Sequence, residues 1–168
     1  SAEMAKVRDY VPDYAVMAHR GSTFWAPEET ESAWRWAREM GADYLESDLQ
    51  CTKDGVILAN HDDNLKRTTN IENVYSELVP ATRKAFYMRH GMSEEEAEKL
   101  VAADKASFRP YYAMSYMYEE LLALDAGSWF NETSIEQARK SFAEKHQYVS
   151  ALEDQIRYAE GKMLKRGS

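Results

Sequence analysis

The chain has 168 residues, 44% of them hydrophobic, 12% aromatic and 30% charged. That composition excludes a disordered tail, a collagen-like repeat and a disulfide scaffold, and the length suits one domain burying roughly 70% of its unfolded surface. The 21 Lys and Arg against 29 Asp and Glu leave a net charge of −8, which argues against a nucleic-acid partner but not against a small phosphate ester held by one or two arginines.

In chain order, Ser1-Ala2-Glu3-Met4 lacks the basic and apolar regions of a signal peptide. The compartment stays open between a cytoplasmic chain and a periplasmic or secreted one whose leader has been removed. Val16-Met17-Ala18 reads as a strand feeding the loop His19-Arg20-Gly21. From Thr30 the pattern turns helical: Ala33, Trp36, Ala37 and Met40 fall at i, i+3, i+4, i+7, with Glu28, Glu29 and Glu31 at the positive N-terminal end. Gly41 stops that helix. Residues 43–51 read as a second strand and 56–60 as a third, joined by a hairpin at Asp54-Gly55.

Residues 76–125 change character. They are helical, polar and tyrosine-rich, with a capping box at Ser93 and Glu96. This stretch reads as an insertion between an N-terminal part, 1–75, and a return to the first fold over 126–168. Further capping boxes are expected at Thr133/Glu136 and Ser150/Glu153. A last helix covers about 151–160 and ends at Gly161, and Met163-Leu164-Lys165-Arg166 reads as the approach to another strand. Strand–helix–strand ends point to an α/β fold with parallel strands. No run of ~18 apolar residues exists, so no transmembrane segment is expected. The single cysteine, Cys51, rules out an internal disulfide and a Cys₂ or Cys₄ zinc site.

Four groups carry chemistry: His19-Arg20, Glu28, Glu46-x-Asp48 and His61-Asp62. A two-residue turn at Asp54-Gly55 pairs Lys53 with Val56 and sets Asp48 opposite His61, with Glu46 two residues along the same face. Two converging carboxylates repel each other, and a hard divalent cation, Mg²⁺ or Ca²⁺, relieves the repulsion. His19 at the end of the first strand can join them, and Arg20 offers a planar fork suited to phosphate. Each piece has a plainer reading too: a solvated strand edge, a loop histidine, acids at a helix N-terminus. That plainer role is the one expected of Glu29, and His90 and His146 are given none.

The ordered set Ala18-His19-Arg20-Gly21, Ala26-Pro27-Glu28-Glu29-Thr30, residues 41–48, Thr52-Lys53-Asp54-Gly55 and His61-Asp62 resembles the N-terminal half of the glycerophosphodiester phosphodiesterase family. Residues 65–69 and 124–130 look like further stretches of it. The resemblance implies a phospholipase-C-like TIM barrel, here an N-terminal portion with a helical insertion and an incomplete barrel. It implies hydrolysis of glycerophosphodiesters to an alcohol and glycerol 3-phosphate. His19 and His61 would be general acid and base, Arg20 and Glu28 would serve substrate binding, and Glu46 and Asp48 would be ligands of a divalent metal. The family pattern is Pro-Glu-Asn-Thr where this chain has Glu29 in the third position. Its third metal-binding carboxylate lies on a strand beyond residue 168, and Glu153 does not replace it.

Open barrel edges lead to an expectation of self-association, two chains completing one another. The alternative expectation is a catalytically incomplete barrel acting as a binding or interaction module.

Overall fold

A computed structural model describes residues 13–133 and 146–161. The expected capping box at Thr133/Glu136, the strand approach at 163–166 and the reading of the first four residues lie outside the described residues. No helix among the described residues is long and apolar enough to cross a membrane.

Strand β1 (Met17–Ala18) leads through the His19-Arg20-Gly21 loop to helix α1 (Glu31–Glu39), and strand β2 (Tyr44–Leu45) returns parallel to β1, Met17 beside Tyr44 and Ala18 beside Leu45. Parallel neighbours need a crossover, and α1 supplies it. The loop is fixed by Gly21, whose φ of +90° is a left-handed conformation. A β-carbon there would stand 2.6 Å from that of Ala33, so only glycine lets the loop lie on α1. Thr30 caps the helix, accepting from Ala33 N–H at 3.4 Å and donating to Pro27 O at 2.7 Å. At the other end Gly41 N–H bonds Arg38 O and Ala42 N–H bonds Ala37 O, the paired closure of a Schellman motif.

The buried face of α1 is Ala33, Trp34 and Ala37, packed against helix α7 (Leu152–Ala159). The expected stripe is therefore corrected: Trp36 and Met40 are exposed. Trp36 stacks on Trp25 with centroids 6.0 Å apart, and Trp34 takes the core position. The expected single strand over 43–51 is also broken. After β2 the chain leaves the parallel ladder and begins again as β3 (Leu49–Cys51), antiparallel to β4 (Ile57–Ala59). The break falls where Asp48 N–H donates to the carboxylate of Glu29 at 2.6 Å instead of to a neighbouring strand.

The β3–β4 register pairs Leu49 with Ala59, Gln50 with Leu58 and Cys51 with Ile57, one residue away from the expected pairing. The connection is a turn from Thr52 to Gly55, closed by Gly55 N–H to Thr52 O at 3.1 Å, with Gly55 left-handed at φ +83°. Thr52 N–H then bonds Val56 O. This is a three-residue loop with a glycine bulge, the next commonest hairpin after the two-residue type. Asp48 consequently faces Asn60, whose N–H donates to Asp48 O at 2.9 Å, and not His61.

Helices α2 (Ile71–Val74), α3 (Arg83–Arg89), α4 (Glu94–Ser107), a 3₁₀ turn (Ala113–Ser115), α5 (Tyr118–Leu121) and α6 (Ser128–Thr133) follow. The expected capping box on α4 is present, Glu96 N–H to Ser93 Oγ at 3.2 Å and Ser93 N–H to Glu96 Oε2 at 2.9 Å. The one expected at Ser150/Glu153 is not. The helix starts one residue later, Ala151 N–H donates to Asp154 Oδ2 at 3.1 Å, and Glu153 pairs with Arg157 on the surface. The main core joins Leu58 and Leu65 to Ala113, Tyr116, Leu121 and Leu124 and to Val149, so it draws on all three stretches of the chain. Ala59 N–H bonds Ser150 O at 2.9 Å and Leu58 bridges Ala151, which seats the last segment on β4.

The helical stretch holds a second polar feature. Arg83, 1% exposed, donates to Glu120 at 2.8 and 3.1 Å, to Asp104 at 2.9 Å and to Ser115 O at 2.9 Å. Asp104 also binds Tyr87 Oη at 2.6 Å and Lys53 Nζ at 2.9 Å.

Candidate active site

The loop after β1 and the residues after β2 meet because their strands are parallel neighbours, so their C-terminal ends open on the same side. His19 follows β1 directly, exposed, with Nε2 4.0 Å from Glu46 Oε2. Arg20 N–H donates to the same oxygen at 2.9 Å. Arg20 adopts φ +56° and Glu29 φ +55°, a conformation that costs free energy in non-glycine residues. Glu29 N–H bonds Arg20 O at 2.9 Å, which locks the two strained residues together.

His19, Glu46 and Asp48 each present one ligand atom, all within 4.8 Å of one another. Asp48 Oδ2 is buried and accepts no hydrogen bond among the described residues. Arg20 Nε lies 3.2 Å from it, a charge contact that is not aligned as a hydrogen bond. Two carboxylates, one with an unused buried oxygen, and one imidazole fit a hard divalent cation that keeps positions for water or substrate oxygens.

Glu28 is buried between two arginines: Arg20 Nη1 donates to Oε2 at 2.8 Å and Arg67 Nη1 to Oε1 at 2.5 Å. Burial alone would raise its pKa, but the hydrogen bonds from Arg67 and Arg20 outweigh that and hold it below the ordinary value. Glu29, expected as a helix-end acid, is instead buried beneath the site. Desolvation pushes its carboxyl up to about 8, against the hydrogen bond from Asp48 N–H. Glu29 Oε2 has no hydrogen-bond partner among the described residues.

His61 stands after β4, its Nδ1 2.6 Å from Asp62 Oδ1, and its carbonyl accepts from Gln50 Nε2 at 3.1 Å. It is not paired with Asp48, which faces Asn60 because the hairpin loop is one residue longer than expected. It joins the site through ion pairs instead. Asp62 Oδ2 accepts from Arg67 Nε at 2.7 Å and Oδ1 from Arg67 Nη2 at 3.2 Å, and Arg67 reaches Glu28. Asp62 is held down at about 2, chiefly by the bond from Arg67.

Arg67, Trp129 and Phe130 carry no signal in the local sequence pattern and fall only within stretches of family resemblance. Trp129 and Phe130 line a cleft of about 150 Å³ with His19, Arg20, Thr23 and Glu28, and the Arg67 guanidinium lies 5.8 Å from the centroid of the Trp129 ring. The arrangement offers a cation fork for a phosphate, an imidazole at the cleft mouth and an oxygen-rich pair beside it.

The model of the glycerophosphoryl diester phosphodiesterase family matches residues 19–165. A glycerophosphodiester phosphodiesterase of Bacillus subtilis is 31% identical over 126 residues, 75% of this chain and 30% of the relative. The solved glycerophosphodiester phosphodiesterase of Agrobacterium tumefaciens superposes with a TM-score of 0.52 at 26% identity, over 88% of this chain and 43% of that one. A phosphodiesterase of Oleispira antarctica, solved with the product sn-glycerol-3-phosphate, gives 0.56 at 23% identity over 92% and 42%. These solved relatives are TIM-barrel enzymes, and the mixed α/β fold is similar to part of theirs; the chain spans less than half the length of each relative.

Proposed function

We propose that this chain, which belongs to the glycerophosphoryl diester phosphodiesterase family, carries the acid–base, phosphate-binding and metal-binding groups of a metal-dependent hydrolase acting on glycerophosphodiesters. The observation that carries the reading is the convergence of His19, Arg20, Glu46 and Asp48 at the ends of two parallel strands, the end at which barrel enzymes place their chemistry. The family relatives' names extend it to the substrate class, with glycerol 3-phosphate and an alcohol as products.

Arg20, pinned by Glu28, binds the phosphodiester oxygens at the cleft it shares with Trp129 and Phe130. Of the two histidines, one takes the proton of the attacking glycerol hydroxyl and the other protonates the leaving alcohol, so that a cyclic phosphate forms and water then opens it. Glu46 and Asp48 would hold Mg²⁺ or Ca²⁺, which supplies charge stabilisation at the phosphoryl oxygens. Residues 76–125 are read as an insertion that braces the hairpin between Asp48 and His61. Val16, Met17, Phe24 and Met40 are exposed around β1 and α1. They support assembly through that side, as in a barrel completed by a second copy.

The test is release of glycerol 3-phosphate from glycerophosphocholine with Mg²⁺ or Ca²⁺. Metal-dependent turnover lost in His61→Ala and His19→Ala is the expected result. Equal turnover in the variants removes the reading. Light scattering is expected to give a dimer mass, and a monomer at every concentration removes the assembly part.

A further inference from the structure

We propose that Arg67 is a positioning residue for the proposed reaction: by forking across both oxygens of Asp62 it holds that carboxylate on His61 Nδ1, so that the ring presents Nε2 as its proton-accepting atom. The inference rests on His61 acting as acid or base, as proposed above. The geometry that carries it is continuous. His61 Nδ1 lies 2.6 Å from Asp62 Oδ1, and Arg67 binds Asp62 Oδ2 through Nε at 2.7 Å and Oδ1 through Nη2 at 3.2 Å.

Asp62 is ionised at neutral pH, since Arg67 and His61 hold it at about 2. An ionised carboxylate only accepts, so the shared proton sits on Nδ1 and Nε2 is left bare. A lone carboxylate can rotate about its Cβ–Cγ bond. One forked by a planar guanidinium cannot do so without losing two charge-assisted bonds. The third arm of Arg67 binds Glu28, whose other oxygen holds Arg20, so the fork orients the imidazole and the phosphate clamp as one unit.

A structural role alone explains little of this. Arg67 has 45% of its side chain exposed, and ion pairs at that exposure add little to stability. Its position beside Trp129, 5.8 Å from the ring centroid, keeps it in place without burying it.

The experiment is nitrogen-15 NMR of the imidazoles in the whole chain, above the pH at which they titrate, with His61→Ala assigning the signals. In the unaltered chain His61 is expected as the Nδ1–H tautomer. In Arg67→Gln it is expected to move mainly to Nε2–H, the form that unconstrained imidazole favours. Arg67→Lys, which cannot fork, should fall between and decides the matter if Arg67→Gln does not fold. An unchanged tautomer in a folded variant overturns the proposal, because Asp62 would then hold His61 unaided.

Turnover gives a second reading. Loss of an outer support of this kind lowers kcat by about 10–100-fold, with KM changing less, and a rise in KM alone with kcat intact overturns it. A chain without turnover whose His61 tautomer still depends on Arg67 would retire the phosphodiesterase reading and leave standing only the orientation of the His61 ring by Arg67.

Discussion

Arg67 and Arg83 make the same contacts in two opposite settings. Each guanidinium is shared between two carboxylates, Asp62 and Glu28 in one case, Asp104 and Glu120 in the other. Arg83 is 1% exposed and closed in by Tyr87, Lys53 and a backbone carbonyl. Burial would lower its pKa, but its two carboxylates outweigh that and raise it. Arg67 lies half in solvent, and the hydrogen bonds to Asp62 and Glu28 raise its pKa against a smaller lowering by burial. The buried network is a structural joint, since losing one member strands a charge in the core. The open one leaves Arg67 and Asp62 partly exposed above the buried Glu28 and within reach of a ligand, so its value lies in orientation.

That contrast can be broken at either end. Arg83→Met leaves Glu120 buried without its cation and Asp104 with only Lys53 and Tyr87, and should cost about 3–5 kcal/mol, read as a lower denaturant midpoint. A cost below ~1 kcal/mol would mean that water reaches the joint and that the two arginines differ only in degree. Gly21→Ala tests whether backbone, more than ion pairs, supports the open site. It forces a side chain into a left-handed residue and onto Ala33, and about 1–3 kcal/mol is expected, with His19 and Arg20 signals shifting in NMR spectra.

Arg67→Gln should cost no more than ~1 kcal/mol in the same unfolding experiment while altering turnover. Equal losses at Arg67 and Arg83 would erase the distinction. The smallest effect is on pH dependence. Asp62 has a lowered pKa of about 2, so its contribution is complete above the ordinary aspartate value near 4 and is lost as pH falls through about 2. In Arg67→Gln the Asp62 carboxyl should titrate closer to that ordinary value, followed by its carbon-13 shift. No movement would mean that Arg67 does not govern it.

The parts of the site legible in the sequence are those set by strand ends. His19 and Arg20 follow the first strand where local pattern places them, whereas Glu46 and Asp48, expected within one strand over 43–51, lie past the end of β2, which a single crossover makes the neighbour of β1. The expected pairing of Asp48 with His61 fails because Asp54-Gly55 suits a two-residue turn and a three-residue bulged loop alike, and one residue of register changes every partner. Arg67 bonds Glu28 across 39 positions, and no short-range pattern signals such a contact. Glu29 looked like an ordinary helix-end acid because charge near a helix start has a generic explanation, and only the fold shows that it is buried. On α1, Trp34 and Trp36 are both aromatic, and which one faces the core depended on the position of α7.

The turn between β3 and β4 is gripped from outside the hairpin. Lys53 N–H bonds Tyr116 O at 2.9 Å, Tyr118 N–H bonds Asp54 Oδ1 at 2.9 Å, and Lys53 Nζ pairs with Asp104. The hairpin and residues 104–118 are therefore expected to open together as one unit, while β1 and β2 form a second sheet, connected by α1, whose opening is expected to be separate. Asp48 and His61 ride on the first unit, His19, Arg20 and Glu46 on the second. The site lies at the seam between these two stretches, and in amide exchange it is expected to lose protection when the weaker of them opens.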